Sequence, residues 1–392
     1  MASKGIRDQV AIVGMGCTSF GENWDKSPSD MLLDAATQAH NSAGIEADEI
    51  DAYWLGTLSS GSSGLLLTEP LKIPYKPVTR VENFCATGSE AMRNAAYAVA
   101  CGAYDLVMAI GVEKLKDSGY MGLTGAGLPP GDGTDAGITA PANFSLLAPA
   151  YAKKYGVDHD ELKEVMSRIA HKNHANGAKN PKAQFQREVP MEKIRNSPKV
   201  AGMLGIFDCS GVSDGSAAAI LCRAEDAHKY TDKPIFLKGL SFIAGPAEGP
   251  KRQDYDFTSF PEVVESAKDA YKQAGVTNPR EESSMAEVHD CFTPTELVLM
   301  EDLGFSERGN AWRDEMDGRF NLDGDQPVNP DGGLKSFGHP IGASGLRMMY
   351  EMWLQLRGEA GPRQIENPKL GLTHNLGGAP GRCVSFVSVV GV

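Results

Sequence analysis

The arrangement of apolar and polar positions along the chain predicts an α/β protein. Continuous apolar runs, such as Val10 to Met15 and Leu106 to Val112, are typical of parallel strands that are buried on both faces. Between them, the apolar residues of Ser29 to Ala43 recur at helical spacing after a sequence that favours a helix start. Strands and helices that alternate in this way indicate a sheet with helices on both sides.

The alternation begins a second time near residue 234, which predicts two similar halves, 1–233 and 234–392. A stretch at about 115–205 departs from the pattern, because it is first rich in Gly, Pro and Thr and later polar and irregular. We predict an insertion there that forms a lid or substrate-binding region, with one helix from Ala148 to Ala175. A short strand is expected at Glu82 to Cys85.

Two similar runs, one in each half, give the strongest chemical signal. Cys85 and His339 each have a Gly three residues later and an Arg eight residues later, and each run continues into an apolar helical stretch. A helix N-terminus favours negative charge, so a Cys placed there is expected to have a lowered pKa. A nearby His can accept the thiol proton. The layout predicts a nucleophile and its base at equivalent helix starts.

Further candidate groups follow predicted strands of the second half. His289 and Cys291 come directly after one strand, and Asn375–Gly378 follows another. Because ligands in open α/β sheets bind at the carboxyl ends of strands, we expect these groups to converge with Cys85 and His339. Backbone N–H groups of glycines are suited to holding an oxyanion. Adjacent side chains rarely converge on one ion, so no metal site is predicted.

The composition is that of an acidic globular protein. A net charge of −13 is unfavourable for general binding of nucleic acid. A basic stretch from His171 to Lys182 is the best candidate for contact with an anionic cofactor, although a solvated helix end and loop would give the same pattern. The seven cysteines are scattered without a C-x-x-C motif, which predicts free thiols in a reducing, cytoplasmic compartment. No apolar run reaches the length of a membrane span.

Four groups of motifs together resemble the thiolase superfamily, and most closely its sterol-carrier-protein-type branch. They are Val81–Ser89, His289–Phe292, the pair Asn329–Gly333 and Gly338–Gly345, and Asn375–Gly378. They occur in order over nearly the whole chain, and they are specific in combination rather than singly. The resemblance implies a five-layer α-β-α-β-α fold of two similar halves, which agrees with the repeat inferred from the residues.

The resemblance also implies a reaction, the thiolysis of a 3-oxoacyl-coenzyme A or the reverse Claisen condensation. Cys85 would be acylated, and His339 would activate it and help to hold the thioester oxygen. Cys291 would be the second acid/base, and His289 would share the first oxyanion site with His339. The backbone N–H groups of Cys85 and Gly377 would form the second oxyanion site. Coenzyme A would be a substrate, and no tightly bound cofactor is expected.

The chain departs from common thiolases at two motifs. Asn375 stands where they carry the acid/base Cys, and His289-Asp290 stands where they carry Asn-Glu. The sterol-carrier-type branch places that Cys after His-Asp, so Cys291 compensates. A thiolate can act as the base for a weakly acidic C–H when its neighbours tune its pKa.

Other interpretations remain open at this point. The set Cys85, His289 and His339 also resembles that of decarboxylating ketosynthases, for which Cys291 would be incidental. Lipid-transfer-type aldolases share the fold, but they do without the nucleophilic Cys. A non-catalytic subunit that binds acyl-coenzyme A is a further alternative, which the four intact side chains disfavour.

The resemblance has implications for assembly as well. Thiolases typically pair their sheets near the segment Arg80 to Cys85, so a homodimer is expected. Some members of the branch use a small partner protein with an OB-fold and a zinc ribbon, and the lack of a strongly basic site in the insertion leaves room for one. Aromatic residues of the insertion are candidates for an acyl pocket, with core packing as the alternative: Tyr120, Phe144, Tyr151, Tyr155 and Phe185.

Overall fold

Strands and helices alternate along the chain, as the apolar pattern predicts. A computed structural model describes residues 5–116 and 139–392. The strands of these residues are β1 (Val10–Cys17), β2 (Ala52–Gly56), β3 (Val78–Val81), β4 (Leu106–Glu113), β5 (Lys199–Ala201), β6 (Leu204–Gly205), β7 (Gly215–Arg223), β8 (Ile235–Ala244), β9 (Met285–Glu287), β10 (Leu370–Ala379) and β11 (Arg382–Gly391). The α-helices are α1 (Pro28–Ala43), α2 (Leu65–Thr68), α3 (Thr87–Ala100), α4 (Ala140–Phe144), α5 (Leu147–Tyr155), α6 (His159–Ala178), α7 (Met191–Arg195), α8 (Pro261–Ala274), α9 (Pro279–Glu282), α10 (Thr293–Asp302), α11 (Ala311–Met316), α12 (Gly333–Ser336) and α13 (Ser344–Arg357). Short 3₁₀ helices lie at Ala47–Glu49, Ile206–Asp208, Ala224–Lys229, Gly249–Lys251 and Gly361–Arg363.

Nine strands are hydrogen-bonded in the order β3-β2-β4-β7-β1-β8-β11-β10-β9. At one end, β2 runs parallel to β4, and the pairs β4–β7 and β7–β1 are antiparallel. The other end repeats these directions, since β9 runs parallel to β10 and the pairs β10–β11 and β11–β8 are antiparallel. Within the described ranges, two residue pairs of β1 and β8 join the two sets, Ala11 with Phe236 and Ile12 with Ile235. The repeated pairing shows two similar parts.

The helices complete a five-layer arrangement around these strands. On one outer face α1 packs against β1, β4 and β7, and on the other α8 packs against β8 and β11. Helices α3 and α13 contact each other and lie between the two sets of strands. Side chains of β1 point alternately to the two sides, with Ala11 and Val13 toward α1 and Val10 and Ile12 toward the central helices. The α-β-α-β-α fold that the motifs imply is confirmed.

Glycines allow the two central helices to begin against each other. A Cβ on Gly88, in the first turn of α3, would lie 2.8 Å from the carbonyl oxygen of Gly342. A Cβ on Gly111 in β4 would overlap the same oxygen. The shared Gly three residues after Cys85 and after His339 is therefore one contact, Gly88 with Gly342, which brings the two helix starts together.

The insertion contains more regular structure than its composition suggests. The helix expected from Ala148 to Ala175 is two helices, because α5 ends at Gly156, with φ of +65°, and α6 begins after the capping side chain of Asp158. Helix α7 and the hairpin β5–β6 follow. Tyr120 lies outside the described residues. The boundaries 1–233, 234–392 and 115–205 stay predictions, as does the role of a lid.

Candidate active site

Cys85 lies on a tight turn between β3 and α3, so the strand expected at Glu82 to Cys85 is wrong. Side chains hold the turn, since the Glu82 carboxylate accepts the Phe84 N–H at 2.6 Å and the Thr87 hydroxyl donates to the Phe84 carbonyl at 2.6 Å. Phe84 has φ of +50°, a left-handed conformation that is costly for an aromatic residue. The turn places Cys85 two residues before α3 begins.

Three side chains from the two parts of the fold converge at the helix starts. The sulfur of Cys85, a ring nitrogen of His289 and a ring nitrogen of His339 all lie within 4.8 Å of one another. The two rings meet edge to face, with centroids 5.4 Å apart. Both histidines are at most 2% exposed, whereas Cys85 is partly exposed. The two imidazoles are therefore shielded from water, and Cys85 is the residue of the cluster that retains solvent contact.

Hydrogen bonds define the tautomer of His339. The Ser344 hydroxyl donates its single proton to the Pro340 carbonyl at 3.0 Å, so it accepts the bond that joins it to His339 Nδ1 at 2.7 Å. Nδ1 therefore carries the proton, and Nε2 is left with a free lone pair. Nε2 has no hydrogen-bond partner among the described residues. His339 is arranged to accept a proton at Nε2.

His289 has the complementary tautomer. The Ser89 hydroxyl donates to Asn375 Oδ1 at 2.5 Å, which turns the amide nitrogen of Asn375 toward His289 Nδ1 at 3.4 Å. Because that nitrogen donates, Nδ1 of His289 accepts and Nε2 carries the proton. One imidazole can thus act as a base and the other as a hydrogen-bond donor.

Cys291 and Gly377 border the same place. Cys291 is 2% exposed, and its thiol contacts the Thr295 hydroxyl at 3.7 Å. Gly377 lies in β10 against the nucleophile turn, where a Cβ would lie 2.5 Å from the Asn83 carbonyl oxygen and 3.1 Å from Phe84 Cβ. Cys85 is the ionisable group that acts most strongly on the Cys291 thiol, so the structure brings together all the site residues predicted from the sequence. Their catalytic roles stay predictions.

Burial dominates the electrostatics of the site. It raises the pKa of the Cys85 thiol to about 12 and lowers the pKa of His339 to about 3. Burial, followed by the neighbouring His339, holds the pKa of His289 well below its usual range. Burial, followed by Cys85, raises the pKa of Cys291 well above its usual range. Burial therefore outweighs the lowering of the Cys85 pKa that the sequence led us to expect, and the site holds a neutral thiol and neutral imidazoles.

Sequence reasoning missed the groups that orient the histidines. Ser89 and Ser344 each lie within five residues of the lead residue of their run, so their positions near the helix starts were a usable signal. The shared Arg is less informative, because the two copies differ. Arg93 pairs with Glu90 near the surface, whereas Arg347 is fully buried between two acids of the second part, Glu287 and Asp331.

Much of the basic stretch from His171 to Lys182 is used inside the protein. Lys172 is buried and paired with Glu296. His174 is buried, and burial lowers its pKa to about 3. Lys182 donates to a backbone carbonyl of β1. Lys179 of the same stretch is exposed, and contact of this stretch with coenzyme A stays a prediction.

Two of the candidate aromatic residues of the insertion pack in the core. The Phe144 ring lies 4.9 Å from the ring of Phe292, and Tyr151 is fully buried and donates to Glu301 at 2.5 Å. Among the described residues, Cys85, His289 and His339 form the one cluster of metal-ligand type, and the absence of a catalytic metal stays a prediction. None of the helices in the described ranges combines the length and apolar character needed to cross a bilayer.

Comparison with known proteins accounts for both parts of the fold. The family model for the thiolase N-terminal domain matches residues 10–202, and the model for the thiolase C-terminal domain-like family matches residues 250–388. An acetyl-CoA acetyltransferase of Methanothermobacter thermautotrophicus is 40% identical over 385 residues, which are 96% of this chain and 98% of that protein. One from Methanocaldococcus jannaschii is 37% identical over 400 residues, covering 98% and 99%.

More distant similarity extends to sterol carriers and aldolases. Human sterol carrier protein 2 is 31% identical over 390 residues, 94% of this chain and 70% of that protein. A solved structure described as the Ltp2-ChsH2(DUF35) aldolase superposes with a TM-score of 0.83 at 25% identity, covering 99% of this chain and 98% of the solved chain. Both domain models and relatives of nearly equal length agree with the geometry, and the chain therefore belongs to the thiolase family of acyltransferases.

Proposed function

We propose that this acyl-CoA C-acyltransferase cleaves a 3-oxoacyl-coenzyme A, or forms one by Claisen condensation, through an acyl-enzyme on Cys85. The observation that carries the proposal is the convergence of Cys85 with His289 and His339 within 4.8 Å. The names of the archaeal relatives make acetyl- and acetoacetyl-coenzyme A the first substrates to test. Coenzyme A is a substrate, and no cofactor stays bound.

In the first half-reaction, Cys85 Sγ attacks the thioester carbon while His339 Nε2 accepts the thiol proton. The shifted pKa values oppose a preformed ion pair, so proton transfer accompanies the attack. Charge that develops on the carbonyl oxygen meets the backbone N–H groups of Cys85 and Gly377. The C–S bond to coenzyme A then breaks, and the departing thiolate takes a proton from Cys291.

In the second half-reaction, the Cys291 thiolate removes a proton from the α-carbon of a second acyl-coenzyme A. The enolate oxygen accepts from Nε2–H of His289 and from Nε2–H of the protonated His339. The carbanion attacks the acyl carbon, a C–C bond forms, and Cys85 leaves as a thiolate that recovers its proton from His339. Cys291 keeps the proton taken from the α-carbon, so the site returns to its starting state.

Cys291→Ala separates this mechanism from that of a ketosynthase, in which Cys291 is incidental. We expect acylation of Cys85 by acetyl-coenzyme A to persist, because His339 can protonate the leaving thiolate, while condensation and thiolysis fall by about two or more orders of magnitude. Cys222→Ala is the matched control, since Cys222 is also buried but lies in β7. Thiolysis at a near-normal rate in Cys291→Ala contradicts the proposal and favours the ketosynthase interpretation.

The likeness to a solved aldolase supports a second candidate, the cleavage of a C–C bond without covalent catalysis. The partly exposed Cys85 beside a free lone pair of His339 argues for acyl transfer instead. The two candidates differ in one observable, because an aldolase leaves Cys85 unmodified during turnover.

Assembly and location also belong to the proposal. Strand β3 lies at the open edge of the sheet directly before the nucleophile turn, so we propose a homodimer formed through that edge. The aldolase description names two components, which supports a small OB-fold, zinc-ribbon partner here. The seven free cysteines fit a reducing cytoplasm. Light scattering of the purified chain tests the dimer, and full activity of the chain alone at low coenzyme A concentration would exclude an obligatory partner.

A further inference from the structure

We propose that Asn173 and Asp290 are positioning residues that hold the acid/base segment His289–Cys291 in its working orientation. The inference rests on the proposed role of Cys291. Neither residue contacts the reacting groups directly. Each acts through hydrogen bonds to the segments that carry them, and Asn173 belongs to the insertion.

The amide of Asn173 connects the chain before and after Cys291. Asn173 lies on α6 and is fully buried. Its Nδ2 donates to Asp290 Oδ2 at 2.9 Å and to Glu296 Oε2 at 2.8 Å. Asp290 directly precedes Cys291, and Glu296 lies in the first turn of α10, five residues after it. One amide group therefore fixes both flanks of the proposed acid/base.

The carboxylate of Asp290 extends the connection to the other base. Its oxygens accept the backbone N–H groups of Leu334 at 2.7 Å and of Lys335 at 3.1 Å, in α12. A Cβ on Gly333 would overlap this carboxylate, so the close approach requires a glycine. Because α12 ends three residues before His339, Asp290 joins the Cys291 segment to the His339 segment.

The charged groups around the Asn173 side-chain amide explain why this position holds a neutral hydrogen-bond donor. Asn173 faces the acids Asp290 and Glu296, and Lys172 is the cation paired with Glu296. Burial, followed by Glu296, raises the pKa of Asp290 to about 7, and burial raises the pKa of the nearby Glu315 to about 7. Asn173 Oδ1 has no partner among the described residues, so the two acids alone orient the amide.

Removal of this amide is expected to affect the two half-reactions unequally. In Asn173→Ala two buried carboxylates lose a donor each, and the flanks of Cys291 loosen, whereas Cys85 and the His339–Ser344 bond are untouched. We expect kcat for condensation and thiolysis to fall about 10- to 100-fold with little change in KM, as for a small misplacement of a reacting group. Acylation of Cys85 by acetyl-coenzyme A is expected to change by less than about threefold.

Asn176→Ala is the matched control. Asn176 lies on the same helix, is also buried and donates to the Asn329 carbonyl at 2.9 Å, but it contacts neither Asp290 nor Glu296. Its loss is expected to lower stability without separating the half-reactions. A selective loss of condensation in Asn173→Ala alone supports the inference. Equal losses in both half-reactions, or the same selective loss in Asn176→Ala, would overturn it.

Asn173→Asp keeps the proposal testable if the alanine variant does not fold. This isosteric change places a third carboxyl against Asp290 and Glu296, where it fits only while it holds its proton. The condensation rate of Asn173→Asp, divided by that of wild type at the same pH, is therefore expected to fall several-fold from pH 6 to pH 8. A loss of rate that is the same at every pH would overturn the inference. If the wild-type chain acylates no residue, the proposed function fails instead, so the two failures are distinguishable.

Discussion

Ser344→Ala tests the assignment of His339 as the base that activates Cys85. In the resting site, the Ser344 oxygen accepts the neutral Nδ1–H of His339 at 2.7 Å. When His339 takes the thiol proton, the same bond becomes one between an imidazolium and a hydroxyl. Only the additional strength gained on protonation lowers the barrier, because interactions of equal strength in both states do not change the rate.

The magnitude follows from that difference. A neutral hydrogen bond contributes about 1 kcal/mol and one to a charged group about 1.5–3 kcal/mol, so the loss in the transition state is about 0.5–2 kcal/mol. Since about 1.4 kcal/mol corresponds to a factor of ten, acylation of Cys85 is expected to slow about 2- to 30-fold. The variant also leaves Nδ1 free to exchange its proton with Nε2, which acts in the same direction.

The assay is the single-turnover rate of acylation by acetyl-coenzyme A, followed by rapid quench and intact-mass measurement. Ser266→Ala is the control, since Ser266 is a fully buried serine of α8 that forms a hydrogen bond of 2.7 Å with Ser385 of β11 and not with His339. An acylation rate within twofold of wild type in Ser344→Ala would refute the role of Nδ1. An equal slowing in the control would refute its specificity.

Three further outcomes are expected. Because burial lowers the pKa of His339 to about 3, the base stays unprotonated in mild acid, and the acylation rate should show no midpoint near pH 6.5 between pH 8 and pH 5. Because burial raises the pKa of Cys85 to about 12, alkylation of Cys85 by iodoacetamide should still accelerate through pH 9, and a plateau below pH 8 would argue for a preformed thiolate. The Cβ of Gly111→Ala would overlap the Gly342 carbonyl, so this variant should lower the free energy of unfolding, measured in urea, by about 1–3 kcal/mol or more. Gly358→Ala is the control, because its Cβ would meet open space. Its left-handed φ of +76° alone should lower the free energy of unfolding by about 1 kcal/mol.

The fold could be predicted in advance because its signals are local and repeated. Buried strands such as β4 appear in the sequence as apolar runs. Gly88 and Gly342 occupy equivalent positions in the two similar runs, and in the structure they contact each other. The turn at Glu82 to Cys85 escaped prediction, because its geometry depends on side-chain bonds from Glu82 and Thr87 that override strand propensity. The split between α5 and α6 had a local signal, Gly156 followed by Asp158, which the apolar periodicity obscured.

The site residues could be predicted from motifs, but their ionisation could not. A Cys at a helix start suggests a lowered pKa, and only the three-dimensional structure shows that burial raises the pKa of this thiol. The bonds of Asn173 to Asp290 and Glu296 are also invisible in the sequence, because these partners lie more than 100 residues from it. The basic residues between His171 and Lys182 suggested a binding site for an anion, yet Lys172 and His174 are buried.

The most direct test of the account is peptide mapping of the acyl-enzyme. The wild-type chain is incubated with acetoacetyl-coenzyme A or acetyl-coenzyme A, quenched in acid and digested, and the modified residue is identified by tandem mass spectrometry. Cys85→Ser, treated in parallel, is the control for acylation elsewhere. The account predicts stoichiometric acetylation of Cys85 that coenzyme A reverses, and none at any residue of Cys85→Ser. Turnover with Cys85 unmodified, or stoichiometric acylation at another residue, would contradict it.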